Sequence, residues 1–184
     1  MEDNSTPAPT LMQHAIRWGL IIGAISIIFT LLLYVIDYTL MVQMKFAFGG
    51  LLIYLAITAY AGIDYRKSVG GFLPFGKAWQ HGFMVLAVSG LVATIFNLVM
   101  YNVVDTELPQ KLVDASMENT RALLESFGTP EDALDEALEK AKDSTASQFT
   151  VGGVAKGYLV MLAVSAVLAL ISGLIVRKNK PELM

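Results

Sequence analysis

Four runs of this chain are too long and too apolar to serve as the one-sided stripe of a soluble helix. Residues 18–36, 46–63 and 157–176 carry no charged side chain, and residues 78–101 have His81 and Asn97 among their few strongly polar members. A bilayer core about 30 Å thick is crossed by about 20 apolar residues at a rise of roughly 1.5 Å each. Within hydrocarbon every backbone amide must find its partner inside the segment, so runs of this length predict helices. The alternation of a barrel strand is absent. Composition agrees: 55% of the 184 residues are hydrophobic and 16% charged, with a mean hydropathy of +0.58, too apolar for an ordinary water-soluble domain. The expected fold is all-α, an integral membrane four-helix bundle of four transmembrane helices.

The first run does not read as a cleaved signal. Its leader, MEDNSTPAPT, is acidic rather than basic, the apolar stretch exceeds a signal core, and no small-x-small site follows. The expected organisation is a disordered cytoplasmic tail over 1–13 and transmembrane helices 1–3 over 14–101. An extracytoplasmic segment over 102–150, transmembrane helix 4 over 151–177 and a basic cytoplasmic tail over 178–184 complete it. Orientation follows from the density of bases. Arg66, Lys67 and Lys77 crowd the short loop between runs two and three, and Arg177, Lys178 and Lys180 follow run four, whereas only Lys45 lies between runs one and two. Both termini are therefore expected in the cytoplasm.

Residues 102–150 are different in kind. They hold eleven acids against four bases, a net −7 within a chain of net −3. Val113, Met117, Leu124 and Phe127 fall at helical spacing, and Leu134, Leu138 and Ala141 repeat the pattern. Gly128 is placed to close the first helix, and Thr129 followed by Pro130, Glu131 and Asp132 to open the second. The spacing predicts an amphipathic helical hairpin between helices 3 and 4, its apolar faces turned toward each other and the tops of the spans, or toward a partner or second copy.

Small residues mark where spans can approach. Gly19, Gly23, Ser26 and Thr30 form one stripe, Ser89 and Ala93 belong to a second, and Ser165, Ala169, Ser172 and Gly173 to a third. At the outer interface Asp37 ends run one and Lys156 precedes run four, which suggests a polar cluster of Asp37, Asn97, Tyr101 and Lys156.

No constellation carries chemistry. Asp37 and Asp64 close successive antiparallel runs, roughly 27 Å or more apart at about 1.5 Å per residue, far from the contact that paired aspartates need. His14 and His81 are the only histidines and there is no cysteine, so no metal-ligand spacing exists. Ser89 lacks a nucleophile frame. No catalytic residue, cofactor or nucleic-acid partner is expected.

The loop GGFLPFGKAWQHGF reads as a surface anchor: Arg66, Lys67 and Lys77 face headgroups, and Gly70 and Gly71 permit a tight turn. Its Gly70-Gly71 and Phe75-Gly76-Lys77-Ala78 pieces, the Tyr34-Val35-Ile36-Asp37 end of run one, Asn97 with Tyr101, and the charged insert before the last run together resemble the bacterial membrane proteins catalogued as domain of unknown function 4199. The resemblance implies four spans in a bacterial envelope and brings no assigned activity. The chain is thus read as a multi-pass bacterial inner-membrane protein, non-enzymatic. Its partners are the lipid bilayer and, through the hairpin, a homo-oligomer or a membrane or periplasmic protein. A channel or transporter subunit is the alternative, and a membrane-embedded enzyme the third reading.

Overall fold

A computed structural model describes residues 8–180. The ends, 1–7 and 181–184, lie outside the described residues, and with them most of the tail expected to residue 13 and the last residues of the basic tail. Six α-helices dominate these residues, four long ones and the shorter α4 and α5: α1 (Leu11–Asp37), α2 (Met44–Ser68), α3 (Phe75–Val99), α4 (Leu108–Ser126), α5 (Glu131–Gln148) and α6 (Val151–Val176). A 3-10 helix, Tyr38–Val42, continues α1, and a π-helical turn, Met100–Val104, continues α3. Among the described residues the only β-type pairing is a single bridge, Leu73 with Lys178, whose two N–H···O bonds are each 2.8 Å.

Four stretches are long and apolar enough to cross a membrane: Leu11–Val42, Met44–Ser68, Phe75–Val104 and Val151–Val176. Between 17% and 28% of the most apolar window of each is buried inside the protein, so most of that surface faces outward. Leu52 is 67% exposed, Leu159 66% and Val167 60%. A large aliphatic side chain gains roughly 1.5–3 kcal/mol on leaving water, a gain that these residues obtain only if the surrounding solvent is hydrocarbon. These are the marks of a membrane protein.

The start of α1 lies inside the segment expected to be disordered. Gln13 N–H donates to Thr10 Oγ1 and Thr10 N–H donates to Gln13 Oε1, both at 3.2 Å. That reciprocal capping box satisfies amides the helix leaves open, so the helix begins at Leu11.

By its contacts the described chain forms two units, one of residues 8–24, 52–92 and 161–180 and one of 25–51 and 93–160. In the first, glycine sets how closely helices approach. A methyl placed on Gly19 of α1 would lie 2.6 Å from Val88 Cβ of α3, and one on Gly23 2.7 Å from Val92 Cβ. Gly62 of α2 meets Val176 of α6 in the same way, at 2.7 Å from Cγ2, and Gly173 of α6 admits Phe75 and the Trp79 backbone of α3. Ile22 and Val85 are buried beside Ala15, and Tyr65, Leu73, Ala78 and Val176 form a second buried group.

In the second unit Met100, Leu108 and Leu112 are buried with Tyr34, Met41, Val42, Phe96, Tyr101 and Phe149 packed around them. The apolar side of α4 thus covers residues of α1, the 3-10 helix and the end of α3. Helices α4 and α5 contact each other, Leu134 of α5 is buried, and Arg121 bridges to Asp135 at 3.2 Å. Two hairpin expectations are corrected. Phe127, assigned to the apolar face, is 78% exposed, because α4 ends at Ser126 and the chain has begun to turn. Helix α5 starts at Glu131 rather than at Pro130, whose ψ of 147° is extended, and Thr129 supplies no cap bond.

Candidate functional site

The densest polar group of the first unit lies where α1 begins, α2 ends and α3 begins. His14 sits one turn into α1, Asp64 near the end of α2, and His81 two turns into α3. His14 Nε2 is 3.2 Å from Asp64 Oδ2, and His14 Nδ1 is 2.9 Å from His81 Nε2. The Trp18 indole N–H donates to the same Asp64 oxygen at 3.3 Å. Tyr65 closes the group, stacked on His81 with ring centroids 5.1 Å apart and planes 6° apart, and tilted against His14 at 5.1 Å.

Exposure falls along this chain of bonds. The Asp64 side chain is 49% exposed and that of His14 8%, and His81 is fully buried. Two buried side-chain atoms among the described residues lack a hydrogen-bond partner: His81 Nδ1 and Ser172 Oγ. A buried polar atom with no partner loses its hydration without replacement, so the inner end of the group is its unsatisfied end. The arrangement is suited to holding or passing a proton. Among the described residues no group of three or more His, Cys, Asp or Glu side chains is placed to hold a metal ion.

The small-residue stripes lie in several settings. Gly19, Ser89, Ser165, Ala169, Ser172, Gly173 and Gly23 are buried; Ser26, Thr30 and Ala93 are partly so. Ser89 accepts the Tyr54 hydroxyl and donates to Val85 O at 2.8 Å. In the loop, Gly70 and Gly71 take φ of +90° and +83°, conformations that glycine alone adopts cheaply. Arg66 donates to Val176 O at 2.7 Å, so it ties α2 to the last carbonyls of α6. Lys67 is exposed, and Lys77 reaches Gln80 Oε1 at 3.4 Å.

The expected outer cluster comes together only in part. Asn97 and Tyr101 line a recess of about 230 Å³ with Thr30, Phe29, Phe46 and Met41. Asp37 instead caps the 3-10 helix, accepting from Thr39 N at 2.9 Å. Lys156 is exposed. Neither joins any ion pair among the described residues.

The polar hub of the second unit is Asp105, which sequence reasoning passed over as one acid among eleven. Its Oδ2 accepts the Tyr34 hydroxyl at 3.0 Å, its Oδ1 accepts the amides of Glu107 and Leu108 at 3.1 and 3.0 Å, and Lys111 Nζ lies 3.6 Å away. Desolvation pushes the Asp105 carboxyl up, but the Tyr34 hydroxyl, the Glu107 amide, the Lys111 charge and the Leu108 amide outweigh it. The net is a carboxyl below its ordinary range. Lys111 is raised above the usual lysine value, first by its bond to Glu107, against desolvation, and then by Asp105.

No curated protein and no solved structure matches the chain. A family model does, over residues 17–178, a stretch that takes in the stripes, the loop, α4 and α5, the Asp105 group and, of the other polar group, every member but His14. The chain belongs to the family described as Protein of unknown function (DUF4199).

Proposed function

We propose that the protein is a multi-pass bacterial inner-membrane protein without a catalytic centre. In this reading its four long helices form a bundle, its termini lie in the cytoplasm, and its α4–α5 hairpin lies outside, where it contacts a second copy or a partner protein. The observation that carries this reading is Phe127. Its ring is 78% exposed at the turn between α4 and α5, and Leu123, one turn earlier, is 50% exposed, on an element otherwise dominated by acids. Aromatic groups on aqueous elements are what interfaces preferentially bury. The bases at Arg66, Lys67 and Lys77 and those after α6 support the orientation.

A photo-crosslinking residue at position 127, in native membranes, tests the contact. Adducts heavier than one chain are expected, and recovery of the single chain alone contradicts it. Proteolysis of spheroplasts tests the orientation separately: external protease is expected to cut within 102–150, and full protection there reverses it. The recess lined by Thr30, Asn97 and Tyr101 favours a second reading, a channel or transporter subunit. That reading requires Thr30→Cys and Asn97→Cys to react with water-soluble reagents, and unreactive thiols at both remove it.

A further inference from the structure

The reading above makes no use of the His14–His81 pair. Two neutral imidazoles bring two N–H groups to four nitrogens. One of these nitrogens, His14 Nε2, faces the Asp64 carboxylate, and two, His14 Nδ1 and His81 Nε2, face each other at 2.9 Å. Only one of the facing nitrogens can carry a hydrogen, because two N–H groups at that separation would collide. The pair therefore holds three N–H groups at most, one more than its neutral form. We propose that His14 and His81 form a one-proton binding site, reached from water through Asp64, in which the two rings take up a single proton between them.

The filled state accounts for every hydrogen. An O–H bond of hydronium breaks at the half-exposed Asp64 and an N–H bond forms in the pair. One hydrogen then lies between His14 Nε2 and Asp64, one between the facing nitrogens, and one on His81 Nδ1. The carboxylate of Asp64 balances the added charge. A second proton would have to break the bond that joins α1 to α3.

Among the described residues no Asp, Glu, Lys or Arg other than Asp64 is bonded to either ring. Arg66 is committed to Val176 O; Arg17, Lys67, Lys77, Arg177 and Lys178 are exposed; residues 161–176 of α6 contain none. Tyr65 contributes its ring face.

The test is a titration of the full chain in lipid nanodiscs with ¹⁵N-labelled histidine, followed by ring-nitrogen resonances from about pH 8 to about pH 5, the range in which histidine ordinarily changes charge. His14 and His81 are the only histidines, so the two rings are counted directly. Expected is a summed uptake of one proton, with the signals of both rings moving together, and a smaller protonated fraction at each pH in Asp64→Asn. An uptake of two protons, one per ring and independent, overturns the proposal, as does no uptake by a folded protein. An unchanged curve in Asp64→Asn, with helix content intact by circular dichroism, overturns the role given to Asp64.

Discussion

Gly19 shows how much a single hydrogen atom decides when two helices meet in a solvent as apolar as their side chains. With no gain from burying apolar surface, close backbone approach is what holds helices together in lipid, and Val88 already occupies the space a methyl would need. Gly19→Ala is expected to cost about 1–3 kcal/mol through overpacking, read as an earlier transition in a denaturing-detergent titration. Gly49→Ala, where nothing lies within 4 Å, is expected to be neutral or slightly stabilising, since alanine is the better helix former. Asp105 makes a different prediction. Its carboxyl is held below the ordinary range, so its contribution is present above the unfolded carboxylate value and is lost as pH falls through the folded one. Asp105→Asn is expected to flatten the acid limb of a stability–pH curve, and an unchanged limb contradicts it. At this scale the sequence was read incompletely for an identifiable reason. None of His14, Asp64 and His81 belongs to a local sequence motif. Their common signal was depth: successive antiparallel runs bring the start of the first, the end of the second and the start of the third to one level. That places the three polar residues together without any shared spacing.

The elements were more legible than their boundaries. Long uncharged runs have few alternatives to helix once the solvent is hydrocarbon, and each run lies within one of the four long helices. Ends are decided by single hydrogen bonds that composition does not reveal. The Thr10–Gln13 box carries α1 back to Leu11, and the extended ψ of Pro130 delays α5 by one residue. Gly128, with φ of +72°, closes α4 as its position suggested. Of the six α-helices α5 has the least support, since Leu134 is its one buried side chain. Leu134→Ala is expected to cost about 2–5 kcal/mol and to strip amide-exchange protection from α5 while leaving the four long helices protected. Equal loss in all helices would show that α4 and α5 do not fold as a separate part.

For the molecule as a whole, the distribution of surface is the governing fact. Leucine, isoleucine and valine cover the outside of four helices, and eleven acids gather in residues 102–150, between the third and fourth apolar runs. Water as the common solvent would leave the first surface unsatisfied; lipid around the long helices and water around α4 and α5 satisfies both. The chain contains no cysteine, so single introduced thiols report their own surroundings. The most direct test is the rate at which a membrane-impermeant maleimide labels Leu52→Cys and Val167→Cys, compared with Ser126→Cys and Ser144→Cys, in intact membranes. No labelling is expected at the first two positions and ready labelling at the last two, from one side only. Labelling of Leu52→Cys at the rate of Ser126→Cys would contradict it.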